Sequence, residues 1–110
     1  MILLTGGKYD VNIEAIAAIL TQRGHKFTTL FTDDGCRASL HWDLHSDVLT
    51  LNHAPIKPSA LYIRFNHNDL NTAKNQDGYH RTHAWYHTLL DWGSTHKEAR
   101  MLNRAYSTRG

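Results

Sequence analysis

Within the first 32 residues an apolar run, two glycines, an amphipathic stretch and a second run of β-formers follow one another, and this succession restricts the fold more than any other feature of the chain. Ile2, Leu3 and Leu4 before Thr5-Gly6-Gly7 read as a strand buried on both faces and ended by glycines. Asp10 or Asn12 can cap a helix, and Glu14 suits its first turn. Ile13, Ile16, Ala17 and Leu20 then recur at helical spacing, and Gly24 stands where a left-handed stop belongs. A helix is therefore expected over residues 11–23. His25 to Thr32 reads as a second strand closing on Asp33-Asp34-Gly35. Strand, helix and strand in so short a span form a crossover unit with parallel strands, which makes the fold α/β.

The pattern then changes to period two. Ala38, Leu40, Trp42 and Leu44 alternate with Ser39, His41 and Asp43, a polar turn follows at His45-Ser46-Asp47, and Val48 to Asn52 is again strand-like. This predicts a β-hairpin in place of a second crossover helix. Pro55 and Pro58 interrupt the chain, and Ala60 to Phe65 reads as another buried strand. Asn66 to Gly78 is polar and reads as a surface loop. A helix is expected from Tyr79, with Tyr79, His83, Tyr86 and Leu90 aligned, Thr82, Trp85 and Leu89 beside them, and Gly93 as its end. Arg100 to Asn103 supplies a last short strand before a polar tail. The expectation is one Rossmann-like α/β domain over residues 1–110, in two or three layers, with a parallel core sheet and an added hairpin.

Length and charge exclude several classes of function. A chain of 110 residues holds one domain with a single core. Its 12 Lys+Arg against 10 Asp+Glu leave a net charge of +2, and the basic residues are scattered, so neither a nucleic-acid nor a membrane surface is expected. Trp42, Tyr62, Phe65, Trp85, Tyr86 and Trp92 are read as core side chains, not as a stacking platform for bases. Cys36 is the only cysteine, which rules out an internal disulfide or a cysteine-built zinc site and suits the cytoplasm.

TGGKYD, residues 5–10, is the first candidate for chemistry. Amides at a strand-to-helix turn bind anions, and glycines let a ligand approach the backbone. The spacing is neither that of a Walker loop nor G-x-G-x-x-G, and Asp10 would repel a phosphate. A tight turn that needs glycine only to enter the helix is the plainer alternative. Asp33 and Asp34 stand near where a ribose-binding acid sits in dinucleotide folds, but Asp-Asp-Gly is also an ordinary turn. His80, His83 and His87 share one side of the last helix and are read as a solvated face, so no metal site is expected.

Arg64 follows Tyr62 in period two, so both leave the sheet on one face. Ligands of open α/β sheets bind at the carboxyl ends of strands. Thr5, Gly6, Gly7, Lys8, Arg64, Asn66 and His67 would meet there and could form an anion pocket. The alternative is an edge arginine held by a surface carboxylate.

Strand, glycine turn, helix ending in "RGH", second strand, hairpin, "ALYIRF", polar loop, "WYHTLLDW" and "MLNR" together resemble the N-terminal, pre-ATP-grasp domain of ATP-grasp ligases, most of all those that modify ribosomal peptides. The resemblance runs over nearly the whole chain. It implies an enzyme that uses ATP and magnesium to activate a carboxylate as an acyl phosphate for attack by an amine or hydroxyl. By position, Thr5, Gly6, Gly7 and Lys8 match the first turn of that domain, Arg64 the arginine of its strand motif, and Asn103 and Arg104 the end of its last strand. "YIRF" is less bulky than the family's usual aromatic-arginine motif. The family's adenine pocket, phosphate-clamping lysines and magnesium ligands lie outside the part matched. The resemblance therefore implies no catalytic residue and no cofactor in this chain, and a partner in the ATP-grasp catalytic domain, with a peptide substrate. An exposed apolar patch near Met101 would mark that partner's docking site. Two other functions fit the residues alone: a self-contained nucleotide- or anion-binding domain, and an interaction module pairing an open edge at residues 38–52 with a partner strand.

Overall fold

The crossover unit expected at the amino terminus is present: β1 (Ile2–Gly6), α1 (Val11–Gln22) and β2 (Phe27–Phe31), with β1 and β2 parallel. The computed structural model describes residues 1–32, 38–64 and 76–102, with side chains throughout except at 76–82. Asp33, Asp34, Cys36, Phe65, Asn66, His67, Asn103 and Arg104 lie outside the described residues. Asp10 caps α1, its carboxylate accepting from the Asn12 amide at 2.8 Å, and Gly24 takes the left-handed conformation, φ 76°, just past its end.

β3 (Leu40–Asp43) and β4 (Val48–Leu51) form the hairpin, but a third strand, β5 (Ala54–Ile56), adds to β4 and makes it a three-stranded antiparallel sheet in the order β3-β4-β5. The turn between β4 and β5 is only Asn52-His53, with φ 53° and 68°, the mirror-image geometry whose twist suits a two-residue hairpin. Pro55, expected to interrupt the chain, is accommodated because β5 is an edge strand. In the first turn the Asp43 carboxylate accepts from the His45 and Ser46 amides at 3.0 and 3.4 Å.

β6 (Ala60–Ile63), α2 (Gln76–Thr95) and β7 (Arg100–Met101) make a second parallel crossover. The helix begins at Gln76 instead of Tyr79 and runs through Gly93 to Thr95. Gly93 does not end it: a Cβ there would stand 3.3 Å from Leu61 Cδ1 and 3.4 Å from Met101 Cε, so the glycine is where the helix comes closest to the sheet. The buried face is also rotated from the expected one. It is Trp85, Leu89 and Trp92, at spacings of four and three, while His83 is exposed.

The parallel sheet has the order β2-β1-β6-β7. From β1 the first crossover moves to one side, and from β6 the second moves to the other. Crossovers of the common right-handed sense then put α1 and α2 on opposite faces. The packing agrees: a Cβ at Gly6 would lie 3.4 Å from Ile13 of α1, whereas Leu61, one face over, meets Gly93 of α2. Leu3, Leu30, Leu61 and Ile63 join Trp85, Leu89 and Trp92 in one core, which Leu49 and Leu51 of the antiparallel sheet complete. The result is a layered α/β fold with α1 on one side of the parallel sheet and α2 with the three-stranded sheet on the other.

Candidate functional site at the carboxyl ends of β1 and β6

In open α/β sheets the crevice for a ligand lies where neighbouring strands send their connections in opposite directions. Here those strands are β1 and β6, paired in parallel from Ile2 with Ala60 to Thr5 with Ile63. Gly6-Gly7 leaves one and Arg64 the other, so the fold brings the glycine turn and the arginine together as the sequence suggested. The Arg64 amide donates to the Thr5 carbonyl at 2.9 Å and extends the pairing by one residue.

Gly6 ends β1 and packs tightly. A Cβ on it would stand 3.0 Å from Arg64 Cβ, so the glycine is what lets the two strand ends lie together. Its carbonyl accepts from the Thr32 amide at 3.0 Å. Thr5 is buried, with its hydroxyl donating to the Leu30 carbonyl at 2.8 Å. Gly7 begins the turn, and its carbonyl accepts from the Asp10 amide at 3.1 Å. Lys8 and Tyr9 project from this turn into solvent, with the Lys8 ammonium 5.6 Å from the centre of the Tyr9 ring.

The occupant of the site's anionic position is Asp10. Its side chain is only 4% exposed. One oxygen accepts from the Asn12 amide at 2.8 Å, and the other accepts from Arg64 Nε at 3.0 Å. Burial pushes the Asp10 carboxyl up, but the Arg64 hydrogen bond, the Asn12 and Ile13 amides and the Arg64 charge outweigh it and hold the pKa below the ordinary carboxylate value. The two donors an incoming phosphate would use, the first amides of the helix and the arginine, already face an internal carboxylate. At these two points a phosphate would have to displace an internal carboxylate. The sequence named Asp10 as a cap and as an obstacle to phosphate, and it offered an arginine held by a carboxylate as one reading of Arg64. That the two descriptions concern one ion pair is legible only once β1 and β6 are placed side by side. The pair is made through Nε, so the terminal guanidinium nitrogens take no part in it.

A second polar cluster lies away from this crevice. Asp47, with φ 56° in the turn after β3, accepts from Trp42 Nε1 at 2.9 Å and meets His96 Nε2 at 2.8 Å. Asp47 and His96 are 49 residues apart, and no local motif announces the contact. On α2 the His83 and His87 rings lie 4.5 Å apart. Among the described residues no three His, Cys, Asp or Glu side chains gather as a metal site would require, and no helix is long and apolar enough to cross a membrane.

Comparison with known proteins places this fold. No family model and no curated protein matches the chain. Several solved structures do, among them the ATP-grasp ligase PsnB complexed with a minimal precursor, at TM-score 0.67 and 16% identity, covering 93% of this chain and 36% of that one. PsnB with a phosphomimetic variant of the minimal precursor, Mg and ADP gives 0.68 at 18% identity, over 93% and 37%. PsnB with the precursor peptide PsnA2 and AMPPNP gives 0.64 at 18% identity, over 91% and 36%. The chain spans little more than a third of the structures it matches, and across that span it has the α/β fold of a part of an ATP-grasp ligase.

Proposed function

We propose that this chain is the N-terminal, pre-ATP-grasp domain of a cytoplasmic ATP-dependent ligase that joins a carboxylate to an amine or hydroxyl on a peptide. In this reading ATP and magnesium are held by the catalytic domain, on another chain or on the rest of a longer one. This domain supplies one wall of the substrate cleft through Gly6, Gly7, Lys8 and Arg64, with Asn66 and His67 beyond the end of β6. The observation that carries the reading is the fold likeness, which takes in nearly all of this chain but about a third of PsnB. One further feature supports it. Asp10 fills the helix N-terminus where a nucleotide-binding turn would keep its amides open.

The test is calorimetry of the purified chain against ATP with magnesium and, in parallel, against a short acidic peptide. The expected result is no heat from ATP. ATP binding by the purified chain would overturn the proposal.

A second reading, a self-contained anion-binding domain, is favoured by Arg64, which lies 38% exposed at the strand crossing point with its terminal nitrogens outside the Asp10 pair. It predicts a phosphorylated or carboxylate ligand whose affinity falls on changing Arg64 to Met.

A further inference from the structure

His96 follows the last turn of α2 and lies between two acceptors. Its Nδ1 is 2.8 Å from the Trp92 carbonyl, and its Nε2 is 2.8 Å from Asp47 Oδ2. A carbonyl and a carboxylate can only accept, so full use of both contacts requires a proton on each ring nitrogen. The Thr95 hydroxyl lies 2.9 Å from Nδ1 and 3.0 Å from the Trp92 carbonyl, and its single proton can serve only one of them, while the His96 amide also donates to that carbonyl at 3.1 Å. The ring also stacks on the Trp92 indole, with centroids 4.4 Å apart and planes 14° from parallel, an arrangement that favours a cation. Trp42 meets it edge-on at 6.1 Å.

The contact joins elements that the chain does not connect directly: Asp47 belongs to the β3–β4 turn, His96 to the end of α2. Beside them a cleft of about 400 Å³ opens between the antiparallel sheet and the helix, lined by Leu49, Ile56 and Trp92, with Lys57 and Glu98 exposed at its margin. We infer that Asp47 and His96 form a pH-sensitive clamp that ties the β3–β4 turn, at one side of this cleft, to the end of α2 while both ring nitrogens of His96 carry protons, and that loosens when one proton is lost.

The charges around the clamp act in the same direction. The Trp92 carbonyl, Asp47 and Glu98 raise the His96 pKa above its ordinary 6.5 against the opposing effect of burial. The Trp42 and His96 hydrogen bonds, the His96 charge and Lys57 lower that of Asp47 below 3.8. A raised histidine contributes stability that is complete below its unfolded value and lost as pH rises through the folded one. A depressed carboxylate contributes stability that is lost as pH falls through its own. The clamp is therefore closed over a window bounded on the acid side by Asp47 and on the alkaline side by His96.

The test is a ring ¹H–¹⁵N NMR titration of the full chain, with His96 of the same chain unfolded in urea as the reference. Expected at neutral pH are two ring N–H signals for His96, a midpoint above that of the unfolded chain, and a Trp42 indole shift that follows the His96 midpoint. In Asp47→Asn the His96 midpoint should fall toward the unfolded value. A His96 that titrates as in the unfolded chain, a Trp42 indole that ignores its titration, or a midpoint unmoved by Asp47→Asn would each overturn the inference.

Discussion

Arg64 Nε and Asp10 Oδ2 meet at 3.0 Å across the ends of β6 and β1, from positions 54 residues apart, and the same Asp10 caps α1. One carboxylate thus ties the first strand-to-helix turn to the strand that the chain adds next to β1 much later. Removing the arginine leaves a nearly buried carboxylate short of its partner. Arg64→Met is expected to cost about 1–3 kcal/mol in urea unfolding, the lower part of the range reflecting the arginine's partial exposure. A double-mutant cycle with Asp10→Asn, which keeps a capping oxygen, should show coupling between the two sites; additive losses would mean that the pair is only a geometric neighbour.

The pH dependence of stability follows from the same carboxylate. Because the Asp10 pKa is lowered in the folded chain, its contribution is complete above the unfolded value near 3.8 and is lost as pH falls through the folded value. Unfolding free energies of the wild type and Asp10→Asn, measured from pH 6 downward, should converge at the acid end. Parallel curves would contradict the assignment.

Gly6 should tolerate no side chain. Gly6→Ala brings a Cβ to 3.0 Å from Arg64 Cβ, near the backbone, where little can give way. The expected loss is about 1–3 kcal/mol, as for other overpacked sites. Arg64→Met should then cost less in the Gly6→Ala background, because the pair is already displaced.

At Gly93 the neighbours are the ends of side chains, Leu61 Cδ1 and Met101 Cε. Gly93→Leu cannot fit between α2 and the sheet and should destabilise by about 1–3 kcal/mol. Gly93→Ala brings a methyl to 3.3 Å from Leu61 Cδ1, a flexible side-chain end that must yield slightly, and gains helix propensity of about 1 kcal/mol, so thermal melts should place it close to the wild type.

The buried face of α2 gives a further check. Leu89 is fully buried, and Leu89→Ala should cost about 2–5 kcal/mol. His83→Ala, on the exposed side, should stay within about 0.5 kcal/mol of the wild type. If His83 proved the costlier, the helix would be rotated from the orientation described.

Much of the fold was legible because local signals agreed. Ile2 to Leu4, the Asp10 cap and Gly24 each follow from chain geometry alone, and together they determine the first crossover. The errors came where tertiary contacts prevail over local signals. Gly93 resembles a helix terminator until Leu61 and Met101 are placed against it. Pro55 resembles a break until β5 is seen at a sheet edge, and Asn52 is the only local sign of the turn that permits it. At the site, Gly6 and Arg64 could be brought together from strand order, but Asp10 as the anion between them could not, since nothing in residues 5–10 states how far away its cation lies in sequence. The Asp47–His96 contact had no local sign at all.

Pro55 has one more consequence. Register sets Leu49, Thr50 and Leu51 opposite Ile56, Pro55 and Ala54, and Pro55, lacking an amide hydrogen, must be the residue of β5 that turns its backbone nitrogen away from β4. Ala54 and Ile56 direct theirs inward. The outer rim of β5 therefore offers an approaching strand a carbonyl but no donor, and a ladder started there cannot propagate. On that side Pro55 removes the one donor that an edge-to-edge ladder along β5 would need.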